Sequence, residues 1–341
     1  MRRKGGWGMG VGGRGRRQSK TSNVSARRTP TRPQPPSPMS HPPMATSVAV
    51  IGAGRLGTAL AVALEESGYR VAAVLARRAA RARRAASFLS AETLALGSSQ
   101  LGLVPPVDIL LVTTPDDSIA ETAAHLAETL QAAPRLRRVA LHTSGALSSE
   151  ALAPLREKGL AVGSMHPLVS VSDACSGAES LRRAFFCTEG DRAAVRAARG
   201  IVRALGAQSF TIKTEDKALY HAAAVMTSGH TVSLFQTATE LLARCGLDET
   251  RSRRILLPLL GSTLENLSTQ TPARALTGTF ARGDVSTVRK HLSALRSTED
   301  RDALELYALL GRRALPLAEE NGADSSALGE IARLLDEVLN G

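Results

Sequence analysis

Residues 47–78 read "SVAVIGAGRLGTALAVALEESGYRVAAVLARR". A β-branched apolar run turns on Gly52, Gly54 and Gly57, passes into an apolar helix and returns as a second strand from Val71 to Ala76. This strand–glycine turn–helix–strand order is the context in which a GxGxxG pattern predicts dinucleotide binding. Gly52 permits the tight turn, Gly54 lets backbone approach a pyrophosphate, and Gly57 lets helix and strand pack closely. The helix N-terminus, with Arg55 and Leu56 between the glycines, then faces the phosphate charge. The competing reading is a glycine-rich turn in an α/β fold that binds nothing.

A site that prefers NAD places Asp or Glu at the end of the second strand, to hold the ribose hydroxyls. Here that end reads "ARRAARARR", and Arg77 lies where a guanidinium meets a 2′-phosphate in bidentate fashion, so NADP(H) is the expected cofactor. Arg78, Arg81, Arg83 and Arg84 read as the solvated face of the next helix. Downstream, "VDILLVTTPDDSI" is a buried strand whose end, Thr113–Thr114–Pro115, should pass near the nicotinamide ribose. "RVALHTSGAL", "LAVGSMHPL", "AFFCTEG" and "SFTIK" read as further short strands. Beyond Thr214 the pattern is helical throughout. The expected fold class is α/β, a Rossmann-type doubly wound, mostly parallel sheet over 45–213, followed by an all-helical substrate and dimerisation domain over 214–341.

The chain has 341 residues and a formal charge of +12. Residues 1–44 hold ten Arg and Lys and no acid, which leaves the remainder at +2. The folded part therefore offers no charge argument for nucleic acid. The leader, rich in Gly, Arg, Pro and Ser, cannot bury enough apolar surface to fold. It reads as an over-called start with Met44 as the true one, as a solvated tail, or as a targeting or RNA-contacting arm. Its basic run before the apolar stretch Val48–Leu64 mimics a secretory signal, but the glycine spacing inside that stretch argues otherwise. Cys175, Cys187 and Cys245 lack the spacing of a disulfide framework or a zinc site, and the seven histidines show no metal-ligand spacing. A reducing cytoplasm, no membrane span and no metal are expected.

"TEDKALYH", Thr214 to His221, reads as the start of a helix with threonine as cap. A cation in a first turn is disfavoured by roughly 0.3–1 kcal/mol, so Lys217 needs another reason to be there. Residues four apart share a helix face, which pairs Lys217 with His221. An amine or imidazole there can donate the proton that a developing alkoxide needs, and a partly buried cleft lowers a lysine pKa towards the useful range. The alternative is a surface pair of Lys217 with Glu215 or Asp216 and a satisfied His221. His142, Ser144 and Gly145 in "LHTSGAL" and His166 in "SMHPL" stand at strand ends, as ligand contacts or as structural groups. Arg282 in "ARGD" suits a carboxylate clamp or an interface ion pair. The helix from Thr214 to about Cys245, apolar on most faces, should lie in the helical core or at a dimer interface.

Several motifs together resemble the bacterial Rossmann-like proteins that carry a C-terminal domain of unknown function, the DUF2520 group, predicted oxidoreductases. They are "GAGRLGTALA", "TTPDDSIAE", "LHTSGAL", "GSMHPL", "TEGD", "DKALYHAAAV", "LLPLL", "STLENL", "ALTGTFARGD", "TVRKHLSAL" and "LGRRALPLA". The chain departs from that pattern at Thr279, Phe280 and near Gly229, where proline, an aliphatic residue and asparagine are expected. The same plan is similar to 3-hydroxyacid and 6-phosphogluconate dehydrogenases, ketopantoate reductase and pyrroline-5-carboxylate reductase. That resemblance implies a homodimer, a substrate between the domains, Lys217 and His221 at the nicotinamide, and the Ser144–Gly145 loop on a substrate carboxylate. The reading is an NADP(H)-dependent oxidoreductase acting on a small carbonyl, hydroxy-acid or imine, such as a ketopantoate-like 2-oxo acid. The rival is a non-catalytic NADP(H)-binding sensor or scaffold.

Overall fold

The computed structural model describes residues 45–129 and 138–341, and the readings placed on the leader lie outside the described residues. Eight strands form one sheet: β1 (Ser47–Ile51), β2 (Arg70–Ala76), β3 (Leu94–Gly97), β4 (Ile109–Val112), β5 (Val139–His142), β6 (Ala161–Leu168), β7 (Phe185–Gly190) and β8 (Gln208–Thr211). Their order is β3-β2-β1-β4-β5-β6-β7-β8, parallel except where β6 meets β7. The helices α1 (Arg55–Glu66), α2 (Ala79–Ala86), α3 (Asp116–Thr129), α4 (Ala153–Glu157), α5 (Ala174–Arg182) and α6 (Arg192–Ala204) alternate with the strands.

Parallel strands buried on both faces read as near-continuous apolar runs, as β4 does throughout and β1 does after Ser47, whose N–H and hydroxyl donate to Asp108. Val48, Val50, Ile109 and Leu111 join one core with residues of α1, α5 and α6. Ala49, Ile51, Leu110 and Val112 join a second core with residues of α3. Strand order reverses between β1 and β4, which opens a crevice beyond their C-terminal ends, the usual ligand position in such sheets. Strand β3, "LALG", escaped the sequence reading because four residues with no strong β-branched content give little signal.

After Thr211 every regular element is helical: α7 (Lys217–Thr227), α8 (Gly229–Arg244), α9 (Glu249–Thr269), α10 (Pro272–Ala275), α11 (Gly278–Ala281), α12 (Val285–Arg296), α13 (Arg301–Glu320) and α14 (Ser325–Leu339). Asp248, Asp284, Asp300 and Asp324 cap α9, α12, α13 and α14 by accepting a first-turn backbone N–H. Val288, Leu292, Ala308, Ile331 and Leu335 form the small core of α12–α14.

The single helix expected from Thr214 to Cys245 is not one helix. Thr214–Asp216 is a separate 3-10 turn, and Ser228 breaks the remainder with φ −107° and ψ −72°. Thr227 and Ser228 both turn their hydroxyls back onto carbonyls four residues earlier, an arrangement that bends helices, and Gly229 adds backbone freedom. Nor does Thr214 cap α7, since its hydroxyl donates to Glu189 at 2.9 Å. These helices are not buried within one chain either: Met226, Val232, Leu234, Ile255 and Leu259 on α7–α9 are exposed. No described helix is long and apolar enough to cross a membrane.

Candidate functional site

The glycine turn is built against the end of β4. Gly52 has φ +121°, and a Cβ there would lie 2.7 Å from the Thr113 carbonyl carbon and the Thr114 nitrogen. The Thr113 hydroxyl donates to the Gly52 carbonyl at 2.7 Å. A Cβ on Gly57 would lie 2.1 Å from the Gly52 oxygen and 2.4 Å from the Thr113 hydroxyl, so α1 sits as close to the turn as backbone allows. Gly54 is different, since its Cβ would meet nothing nearer than the Gly52 oxygen at 4.0 Å. It is the N-cap of α1 and offers no side chain to the first-turn N–H groups. These features fit a dinucleotide: a small residue faces open space at a helix N-terminus, where an anion is favoured.

Around the turn, Arg55 is exposed and Leu56 half-buried. Arg77 follows the last residue of β2 with its side chain exposed, while its carbonyl accepts from the Ser98 hydroxyl at 3.3 Å. Pro115 is exposed, and the Thr114 hydroxyl is buried without a hydrogen-bond partner. A buried hydroxyl rarely stays unpaired, which suits a polar ligand atom at that point.

The second cluster adjoins the first through Asp116, whose carboxylate accepts from the Ser144 hydroxyl at 2.7 Å. That hydroxyl in turn accepts from the backbone N–H groups of Ala146 and Leu147, which closes the "TSGAL" loop. Lys217, the first residue of α7, is only 2% exposed. Its Nζ donates to the Ser144 carbonyl and to the Ser164 hydroxyl, each at 2.9 Å. The surface-pair alternative for Lys217 is thereby set aside: the lysine enters the sheet domain instead of folding back on Glu215 or Asp216. Burial pushes its pKa below the ordinary lysine value, and the negative charges of Glu189 and Asp116 oppose that fall.

His142 Nδ1 accepts from the Ser144 backbone N–H at 3.2 Å, so Nε2 carries the proton given to the Ser148 carbonyl at 3.0 Å. Burial, and then the Lys217 charge, lower its pKa to about 4. Burial and the same lysine bring His166 down to about 3. Both imidazoles are neutral at physiological pH. His166 Nδ1 lies 2.7 Å from the Tyr220 hydroxyl and its ring meets His221 edge-on, with centroids 5.3 Å apart. His221 packs on Gly145, where a Cβ would lie 2.2 Å from its Nδ1. That Nδ1 is buried and unpaired.

Lys217, His221, His142, Ser144, Gly145 and His166 thus share one cluster at the ends of β5 and β6. Arg282 does not join it: this residue is exposed in the turn after α11, where its charge acts on Asp284. Asp116, Ser164, Glu189 and Tyr220 belong to the site and were not singled out from the sequence. Glu189 left a signal, a carboxylate within a strand, "FFCTEG", that carries no other charge. Among the described residues no three His, Cys, Asp or Glu are grouped to hold a metal.

Together the fold and the glycine turn define a Rossmann-type dinucleotide-binding protein with a helical second domain. The chain matches the Rossmann-like domain over residues 32–167 and the domain of unknown function DUF2520 over residues 184–314. A Bacteroides fragilis protein described as a candidate NADP oxidoreductase is similar at 25% identity, over 80% of this chain and 98% of that one, with a TM-score of 0.64. A Thermotoga maritima protein is similar in fold at 24% identity, over 80% and 98% of the two chains, with a TM-score of 0.62. The imine reductase of Myxococcus stipitatus, solved with NADP+, shares the fold at 16% identity over 86% and 94%, with a TM-score of 0.53. No curated protein matches the chain.

Proposed function

We propose that this protein is an NADP(H)-dependent oxidoreductase whose substrate, a small carbonyl, hydroxy-acid or imine, binds beside Lys217. The observation that carries this reading is the buried ammonium itself. Two of its three N–H groups are donated to Ser144 and Ser164, which fixes its direction and leaves one for a ligand. The glycine turn, Thr114 and Arg77 hold the dinucleotide, which supplies or accepts the hydride. Lys217 gives a proton to the oxygen or nitrogen that gains electron density, and its lowered pKa makes that transfer easier. His142 and His166, being neutral, add no competing cation. The unpaired His221 Nδ1 is a second polar contact for the substrate. The similarity to the Bacteroides fragilis protein supports the cofactor class.

The test is NADPH oxidation by the full chain across 2-oxo acids, ketopantoate among them, 3-oxo acids and cyclic imines, beside Lys217→Met. The expected result is turnover on one class, lowered by about 100-fold or more in the variant, with NADPH affinity unchanged. Tight NADPH binding with no turnover on any class would overturn the catalytic reading and favour the sensor or scaffold.

A further inference from the structure

The "TEGD" segment contains a charged group that the proton-transfer scheme leaves unused. Glu189 on β7 is 2% exposed. Its carboxylate accepts from the Ser149 N–H at 3.0 Å, the Ser149 hydroxyl at 2.7 Å, the Thr214 hydroxyl at 2.9 Å and the Ser164 hydroxyl at 3.3 Å. Ser164 has one proton, and the ammonium that it accepts from has no lone pair. The bonds therefore run one way, from Lys217 Nζ–H to Ser164 Oγ, then from Ser164 O–H to Glu189. Thr214 stands three residues before Lys217, so Glu189 grips both the entry of α7 and, through one hydroxyl, the tip of its first side chain.

The other groups facing Lys217 do not take this part. Asp116 on α3 is exposed and bonded to Ser144. His142 on β5 and His166 on β6 are neutral. The Cys187 thiol on β7 is pushed up by burial and stays protonated. His221, on α7 itself, packs on Gly145. A buried carboxylate and a buried ammonium are each costly alone, and each is tolerable only when paired and hydrogen-bonded. We propose that Glu189, acting through Ser164 and Thr214, is the positioning residue and buried counter-charge that holds the Lys217 ammonium in the site. The catalytic meaning of that role rests on the oxidoreductase reading, but the coupling itself does not.

The experiment is an NMR titration of lysine Cε in the full chain, with the Lys217 signal assigned through Lys217→Met. It compares the unaltered protein with Glu189→Gln and Ser164→Ala, each checked for folding by circular dichroism. Removing an opposite charge at this range should move the Lys217 midpoint down by about one pH unit or more in Glu189→Gln. Ser164→Ala should move it the same way by less. If Glu189→Gln does not fold, Ser164→Ala decides, since it keeps the Glu189 bonds to Ser149 and Thr214. An unmoved midpoint in the folded variants overturns the proposal, whatever the turnover. A moved midpoint in a protein that reduces nothing upholds the coupling and sinks the oxidoreductase reading instead.

Discussion

Gly57→Ala tests whether the turn between β1 and α1 is as tight as its geometry states. The added Cβ would lie 2.1 Å from the Gly52 oxygen and 2.4 Å from the Thr113 hydroxyl. The nearer obstacle is backbone, which cannot rotate away, so overpacking should cost close to the upper end of about 1–3 kcal/mol. Alanine is favoured over glycine inside a helix by about 0.8–1.0 kcal/mol, which offsets part of this. The net loss of about 2 kcal/mol corresponds to a fall in Tm of roughly 4–8 °C for a domain of this size. Gly54→Ala is the paired control. Its Cβ meets nothing nearer than 4.0 Å, and its backbone, at φ −80° and ψ −167°, is open to alanine. It should melt within about 0.5 kcal/mol of the unaltered chain, as a substitution without strain does. It should also lose NADPH binding, because the methyl stands where backbone meets the pyrophosphate. Circular dichroism melts and NADPH fluorescence read the two effects. Equal melting of Gly57→Ala and the unaltered chain would refute the close packing, and undiminished binding by Gly54→Ala would refute the placement of the phosphates.

Three other perturbations separate the remaining readings. His142 has an ordinary pKa of 6.5 when unfolded and about 4 when folded, so between those values the unfolded chain binds more protons. Stability is fully present above pH 6.5 and falls as pH drops towards 4. Melting at pH 7.5 and pH 5 should show that fall reduced in His142→Asn, and an equal fall would remove the histidine from the explanation. Arg77→Ala should weaken NADPH by about tenfold or more, the worth of a charge-assisted hydrogen bond, with NADH little affected. Equal losses for both cofactors would displace Arg77 from the 2′-phosphate. A second copy of the chain covering the exposed apolar side chains of α7–α9 should appear in light scattering as twice the chain mass, and Val232→Asp should shift it towards monomer. A monomeric unaltered protein would rule that partner out.

The glycine turn, the strands around it and the helical second half were legible in the sequence because each rests on local spacing. A GxGxxG between two apolar runs needs neighbours only a few residues away, and a run of four buried residues such as "ILLV" announces a parallel strand by itself. Lys217 and His221 were legible as a pair for the same reason, being one helical turn apart. What the lysine points at was not. Its partners Ser144 and Ser164 lie 73 and 53 residues earlier, and Glu189 reaches back to Ser149 over 40. Only the parallel stacking of β5 on β6, with β7 returning antiparallel, carries those residues to one strand-end cleft. The break at Ser228 and the capping role denied to Thr214 were likewise decided by hydrogen bonds to particular neighbours. Local pattern determined which elements form and where a dinucleotide turn lies. The tertiary structure decided which polar groups are buried together, because burial and long-range hydrogen bonding depend on how distant segments pack.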